Sequence, residues 1–283
     1  MAEVPDKSSP PAAASGTFDI GGELSVRRLG FGAMRLPGVR GSGDPAAARE
    51  ILREALRLGV NLIDTAHAYG RSQDLIAEAL HPYPEDLVIA TKGGLRRGGH
   101  PDGRPERLRA DCEDSLLRLR LDTIDLWQLH RIDPDVPLEE QFGVIRELRD
   151  EGKIRFIGVS EVSVDELTRV RRLIEIATVQ NRFNFAEQDA ADVLGVCEAD
   201  GIGFLPWAPI GMGDLVDSAI GPDGASALEA TPAQKALAWL LDRSPVVLPI
   251  PGTGSIEHLR ENVAAVAFEP SQEDPPGGRP KRT

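Results

Sequence analysis

Four side chains in the first half of the chain carry complementary acid–base chemistry: Asp64, Tyr69, Lys92 and His130. A tyrosine hydroxyl ionises near ~10 in water, too high for easy proton exchange at neutral pH. A nearby lysine ammonium stabilises the phenolate and lowers that value, a carboxylate holds the lysine in place, and an imidazole can orient a substrate oxygen. Such a set suits protonation of a carbonyl oxygen by Tyr69 while a hydride arrives at the carbon. No side chain donates hydride, so this chemistry requires a nicotinamide or flavin cofactor. Taken singly, each residue also has a purely structural reading: an Asp–Lys ion pair, a satisfied half-buried His, a loop-anchoring Tyr.

Position sets the four apart. Asp64, Lys92 and His130 each end a short apolar run, VNLID (60–64), DLVIATK (86–92) and DTIDLWQLH (122–130), followed by loop residues and a helix-like segment. The runs read as consecutive parallel strands. Side chains alternate faces along a strand, so the inward set is Val60, Leu62 and Asp64, then Val88, Ala90 and Lys92, then Leu126, Gln128 and His130. The three polar groups then meet at the carboxyl rim, where β/α barrels keep their active sites, and Tyr69 joins them from a rim loop.

The rest of the chain supplies such a barrel. A first strand is expected over 29–34, and Asp44 is placed to cap a helix that has Pro45 at its first position and ends before Gly59. Further helices are predicted near 72–80, 104–119, 138–150, 163–175, 188–199, 232–242 and 255–266, with strands near 153–159, 177–181, 202–207 and 246–250. The alternation predicts an α/β protein, a (β/α)8 TIM barrel in one domain. Two alternating runs around Gly21 and Gly22 predict an N-terminal β-hairpin that caps its bottom. Residues 17–268 are assigned to the barrel, with disordered tails at 1–16 and at 269–283, where Pro, Gly, Ser and charge replace apolar periodicity. The long loop from Gly211 to Thr231 follows the seventh strand, a position that often carries function.

A net charge of −13 and a pI near 4.9 argue against nucleic acid and anionic membrane as partners. No apolar run approaches the ~20 residues needed to cross a bilayer. Residues 1–16 lack the basic start and apolar core of a secretory signal. Cys112 and Cys197 show neither metal spacing nor a pairing pattern, so no metal site is expected and both read as buried free thiols of a cytoplasmic protein.

No Rossmann fingerprint is present for the required cofactor. Ile250-Pro251-Gly252-Thr253-Gly254-Ser255 instead follows the last strand and opens the last helix, so backbone N–H groups and the helix dipole offer an anion site, or merely a turn and a cap.

With these residues assembled, the chain resembles the aldo-keto reductases over essentially all of 17–266. The matching motifs are Gly30-Phe-Gly-Ala-Met34, Asp64-Thr-Ala-His-Ala-Tyr69-Gly70, Ala90-Thr-Lys92, Asp125-Leu-Trp-Gln-Leu-His130, Gly158-Val-Ser160, Val179-Gln180-Asn181, Pro206-Trp207-Ala-Pro209 and Ile250-Pro-Gly-Thr253. Ile250-Pro-Gly-Thr253 with His258-Leu-Arg-Glu-Asn262 is most similar to bacterial members that resemble pyridoxal reductase. The resemblance implies that Asp64, Tyr69, Lys92 and His130 form a catalytic tetrad with Tyr69 as general acid. It implies NADP(H) as cofactor, with NAD(H) the alternative, and contacts from Met34, Asp64, Ser160, Glu161, Gln180, Trp207, Ala208, Pro209, Ile210, Gly211, Gly252, Thr253, Gly254, His258, Glu261 and Asn262. Ser160 and Gln180 would hold the nicotinamide carboxamide and Trp207 would stack on its ring.

Three departures from the family pattern stand out. Glu161 replaces a common Asn beside the serine, which makes that carboxamide contact acceptor-only when the side chain is ionised. Gly252 and His258 stand where some members place Lys and Arg on the 2′-phosphate, leaving Thr253, Ser255, backbone amides and Arg260. The extra helix and substrate loop beyond the last barrel helix have no counterpart, so the pocket is either open or completed by another subunit, and the oligomeric state stays open. Substrate walls are expected from Met34, Leu36, His67, Arg131, Phe183 and Trp207, with Arg131 or Arg182 facing a polar or anionic group and His67 acting as a loop hydrogen-bonder. The expected activity is NADP(H)-dependent reduction of a small aldehyde or ketone. The alternative is a cofactor-binding regulatory or partner subunit with little turnover.

Overall fold

The computed structural model describes residues 10–96, 98–211 and 230–268. Seven parallel strands follow one another in chain order around a single sheet: β3 (Phe31–Gly32), β4 (Leu62–Asp64), β5 (Val88–Gly93), β6 (Ile124–Leu129), β7 (Ile154–Ser160), β8 (Thr178–Gln180) and β9 (Gly203–Phe204). The eighth expected strand, 246–250, has no assigned strand because Pro249 and Pro251 lack N–H donors. Its remaining groups still join both edges. Leu248 N–H donates to the Phe204 carbonyl at 2.8 Å, while Gly30 and Gly32 N–H groups donate to the carbonyls of Pro249 and Pro251 at 2.9 and 3.2 Å. The result is a (β/α)8 barrel-like α/β fold.

Closure needs glycine at the seam. A Cβ on Gly32 would lie 2.7 Å from the Ile250 carbonyl oxygen, and one on Gly252 would lie 2.6 Å from that of Gly32.

The interior follows the strand parity. Leu62, Val88, Ala90, Leu126, Leu205 and Leu248 pack together inside, whereas Trp127, next along β6, is wholly buried on the other face against the helical layer with Leu108 and Phe142. That layer comprises α1 (Pro45–Arg57), α2 (Ser72–Leu80), α3 (Pro105–Leu119), α4 (Leu138–Asp150), α5 (Val164–Arg171), α6 (Ala191–Asp200), α7 (Pro232–Arg243) and α8 (Ile256–Ala264). Asp44 caps α1 through the Ala46 N–H at 2.8 Å, and Ser163 with Glu166 and Thr231 with Gln234 form capping boxes on α5 and α7. α5 stops at Arg171, short of the predicted 175. None of the described helices is long and apolar enough to cross a membrane.

β1 (Thr17–Ile20) and β2 (Leu24–Arg27) form the expected antiparallel hairpin. Ile20, Leu24 and Val26 join the interior cluster, and Asn61, just ahead of β4, binds Arg27 N–H at 2.7 Å and the Ser25 carbonyl at 3.1 Å. The hairpin therefore covers the amino-terminal end of the strands, opposite the rim.

The boundary predicted for the N-terminal tail is corrected. Pro11–Ser15 forms a 3-10 turn with Ala12 fully buried; Ala12 N–H donates to the Leu58 carbonyl at 2.9 Å and Ser15 Oγ accepts from Leu29 N–H at 3.2 Å. Small residues that resemble linker composition are used here because they fit a tight contact. Residues 1–9, 269–283 and most of the loop after β9 (212–229) lie outside the described residues.

Candidate active site

The carboxyl ends of β4, β5 and β6 bring Asp64, Lys92 and His130 to one place, as strand parity predicts. Lys92 is fully buried, and its Nζ donates to Asp64 Oδ1 and Oδ2 at 2.6 and 2.8 Å and to the Thr65 carbonyl at 2.9 Å. All three ammonium donors are thus satisfied, as a buried charge requires. Gln180 and Gln128 add donors to Asp64 Oδ2 at 2.9 and 3.4 Å.

Tyr69 stands on the loop after β4. Its ring meets His130 edge to face with centroids 5.8 Å apart, and Lys92 Nζ lies 5.2 Å from the Tyr69 centroid. The loop can sit there because Gly70 adopts φ +51°, and a Cβ would collide with the Val39 carbonyl oxygen of the first rim loop.

Electrostatics in this cluster differ from the simple expectation for Tyr69. Although Tyr69 as a whole is only partly buried, burial of the phenol raises its pKa, and Lys92 offsets only part of the rise. The Lys92 charge is already neutralised by Asp64 at contact distance. Tyr69 is therefore protonated at neutral pH, as a proton donor must be. Burial, reinforced by Lys92 and Arg131, holds His130 well below the ordinary imidazole value, so it is neutral. Its Nδ1 is buried without a partner among the described residues.

A cavity of about 300 Å³ opens over these groups, at the low end of the ~300–1,000 Å³ usual for ligand sites. Asp64, Tyr69 and His130 form its floor with Ser160 and Gln180. Met34, Trp207, Ala208, Pro209, Ile210, Gly211 and Gly252 complete the expected part of its lining. Arg35, Arg40, Leu95 and Arg131 also face it. The first three escaped the sequence reading, although their place on rim loops after β3 and β5 was a usable signal.

Several expected residues are engaged elsewhere. Phe183 is fully buried between Phe204 and Trp239, with ring centroids 5.7 and 5.8 Å away, so it is core rather than substrate wall. Leu36 is likewise buried in the core. His67 lies 3.0 Å from Asp114 and 3.4 Å from Asp111, anchoring the Tyr69 loop to α3. Glu161 is absent from the cavity lining; its Oε1 accepts from the Trp207 indole at 2.5 Å and the Arg182 amide at 2.6 Å.

At the start of α8, Ser255 Oγ accepts from His258 N–H at 3.3 Å and Thr253 Oγ1 from Ser255 N–H at 3.1 Å. Thr253 and Asn262 are buried, and Gly254 packs against the Arg35 carbonyl. Glu261 ties α8 to α7 by accepting from Thr231 Oγ1 at 2.5 Å, and Arg260 pairs with Glu54 at 2.7 Å. Both side chains thus bind neighbouring helices.

The sequence model of the Aldo/keto reductase family matches residues 28–275. The chain belongs to that family. It is 43% identical to an uncharacterized oxidoreductase of Schizosaccharomyces pombe, covering 96% of this chain and 92% of that protein. It is 41% identical to the pyridoxine 4-dehydrogenase of Escherichia coli, covering 92% and 96%. Among solved structures, an aldo-keto reductase of Klebsiella pneumoniae in complex with NADPH superposes with a TM-score of 0.75 at 27% identity, covering 90% of this chain and 91% of that one.

This aldo/keto reductase is an NAD(P)H-dependent enzyme that binds NADP(H), and its cavity fits such a cofactor. Gln180 Oε1 takes no hydrogen bond from the described residues, Ser160 adds a buried hydroxyl, and Trp207 offers an aromatic wall. The amino terminus of α8 lies beside Gly252 at the same rim, where N–H groups favour anions.

Proposed function

We propose that this reductase converts a small aldehyde or ketone to an alcohol, with Tyr69 as the proton donor. The observation that carries the reading is the convergence on one cavity floor of a protonated Tyr69, a neutral His130 and Asp64, which is paired with the buried Lys92 behind it.

When bound, NADPH supplies the hydride. Ser160 and Gln180 would hold the carboxamide, Trp207 would flank the ring, and Gly252, Thr253, Gly254 and the start of α8 would take the phosphate end. The substrate oxygen would sit between Tyr69 and His130, which both line the cavity. Tyr69 would give its hydroxyl proton to the carbonyl oxygen as the carbon is reduced, leaving an alcohol. Lys92 stabilises the phenolate that remains until solvent returns a proton. In the reverse direction the same phenolate is the base.

Pyridoxal is the first substrate to test, because a relative 41% identical over nearly the whole chain is a pyridoxine 4-dehydrogenase. Leu95, Met34, Ile210 and Trp207 make walls suited to a small aromatic aldehyde, and Arg131 can meet a ring substituent. NADPH oxidation followed at 340 nm with pyridoxal and a panel of aromatic and aliphatic aldehydes tests the reading. Turnover of an aldehyde supports it; no turnover of any member, with NADPH binding intact, contradicts it.

A further inference from the structure

We infer that Glu161 is a positioning residue for the cofactor platform, acting through the Trp207 indole rather than through contact with the cofactor. The inference rests on the reading that Trp207 forms a wall of the nicotinamide site.

Glu161 follows the last residue of β7 with φ +57°, a left-handed conformation that is strained for a non-glycine residue and calls for compensating contacts. Three hydrogen bonds hold it there. Its N–H donates to the Gln180 carbonyl at 3.0 Å, and its Oε1 accepts from Trp207 Nε1 at 2.5 Å and from the Arg182 N–H at 2.6 Å. The turn in the backbone thus aims a carboxylate at an indole that follows β9, two strand–helix repeats further along the chain.

The rest of Trp207 is held by the same neighbourhood. Its N–H donates to the Asn181 carbonyl at 3.1 Å, and the Arg182 guanidinium lies 5.3 Å from its ring centroid. Arg182 is itself paired with Glu187 at 2.8 Å. Backbone contacts fix where the residue sits, but among the described residues only Glu161 hydrogen-bonds its ring, so Glu161 sets the orientation of the indole plane beside the cavity. Charge-assisted hydrogen bonds of this kind are roughly twice as strong as neutral ones.

The two carboxylate oxygens do different work. Oε1 serves Trp207 and Arg182, while Oε2 lies 4.0 Å from Arg131 Nη2, whose Nη1 donates to Ser160 Oγ at 3.2 Å and the His130 carbonyl at 2.8 Å. A glutamine retains an acceptor for the indole but not the charge facing Arg131.

The test compares Glu161→Ala, Glu161→Gln, Trp207→Phe and the double variant Glu161→Ala/Trp207→Phe. One readout needs no cofactor: the accessibility of Trp207 to acrylamide, taken as the difference between each protein and its Trp207→Phe counterpart. The second is the Kd for NADPH. Glu161→Ala should raise Trp207 accessibility and weaken NADPH binding about tenfold, Glu161→Gln should recover most of both, and the double variant should bind no worse than Trp207→Phe alone. Additive losses in the double variant, or Glu161→Gln as impaired as Glu161→Ala, would overturn the inference. If Glu161→Ala does not fold, Glu161→Gln against Trp207→Phe carries the same comparison. Failure of the wild-type protein to bind NADPH would defeat the platform reading itself, leaving the acrylamide result to judge the Glu161–Trp207 contact.

Discussion

Gln180 Nε2 donates to Asp64 Oδ2 at 2.9 Å, tying the carboxyl end of β8 to that of β4 across the barrel. One amide at the cavity wall therefore serves the buried ion pair with its nitrogen, while its oxygen takes no hydrogen bond from the described residues.

Gln180→Leu should lose both functions at once. The hydrogen bond to a charged partner is worth ~1.5–3 kcal/mol, about 10- to 160-fold. Steady-state kinetics should show kcat falling in that range together with weaker NADPH binding. Gln128→Leu, which removes a longer 3.4 Å contact and no cavity group, should lower kcat less and leave the Kd unchanged.

The Lys92–Asp64 pair should show strong coupling. Lys92→Met strands a buried carboxylate and should destabilise the fold by about 3–5 kcal/mol in denaturant titrations, whereas Lys92→Met/Asp64→Asn should recover much of that loss. Equal destabilisation by the single and double variants would contradict the pairing.

The pH dependence follows from two opposite shifts. Tyr69 must be protonated to act as an acid, and burial raises its pKa, so kcat/KM for reduction should hold through pH 7–9 and fall only above the ordinary tyrosine value. Alcohol oxidation should rise with pH over the same range. His130 has a folded-state pKa well below its unfolded value near ~6.5, so the unfolded chain takes up a proton that the folded chain refuses. Stability should fall as pH drops below ~6.5, and His130→Gln should remove one proton from that slope.

Cys112 and Cys197 are buried, and burial pushes both thiols up to about 12. Neither should react with a disulfide reagent in the native protein at pH 8, and both should react promptly in denaturant.

Much of the site was readable because strand parity is strict. Once 60–64, 86–92 and 122–130 are taken as parallel strands, Asp64, Lys92 and His130 have no choice but to meet. The barrel followed from alternation of apolar runs and capped helices. What escaped depends on contacts remote in sequence. Pro11–Ser15 looks like linker because its hydrogen-bond partners, Leu58 and Leu29, are remote in sequence. Phe183 sits beside rim residues in sequence, but its ring turns into Phe204 and Trp239. Glu161 was placed at the carboxamide by its neighbour Ser160, and nothing local announces that its carboxylate reaches Trp207. The direction of the Tyr69 shift was missed for a similar reason, since the balance between burial and the Lys92 charge depends on how fully Asp64 neutralises that charge.

The most direct measurement is single-turnover reduction by Tyr69→Phe with NADPH prebound. The substitution deletes only the hydroxyl. Chemistry should slow by at least ~10²–10⁴-fold while the NADPH Kd stays within about twofold. A Tyr69→Phe protein that reduces the aldehyde at near wild-type rate would contradict the assignment of Tyr69 as the proton donor.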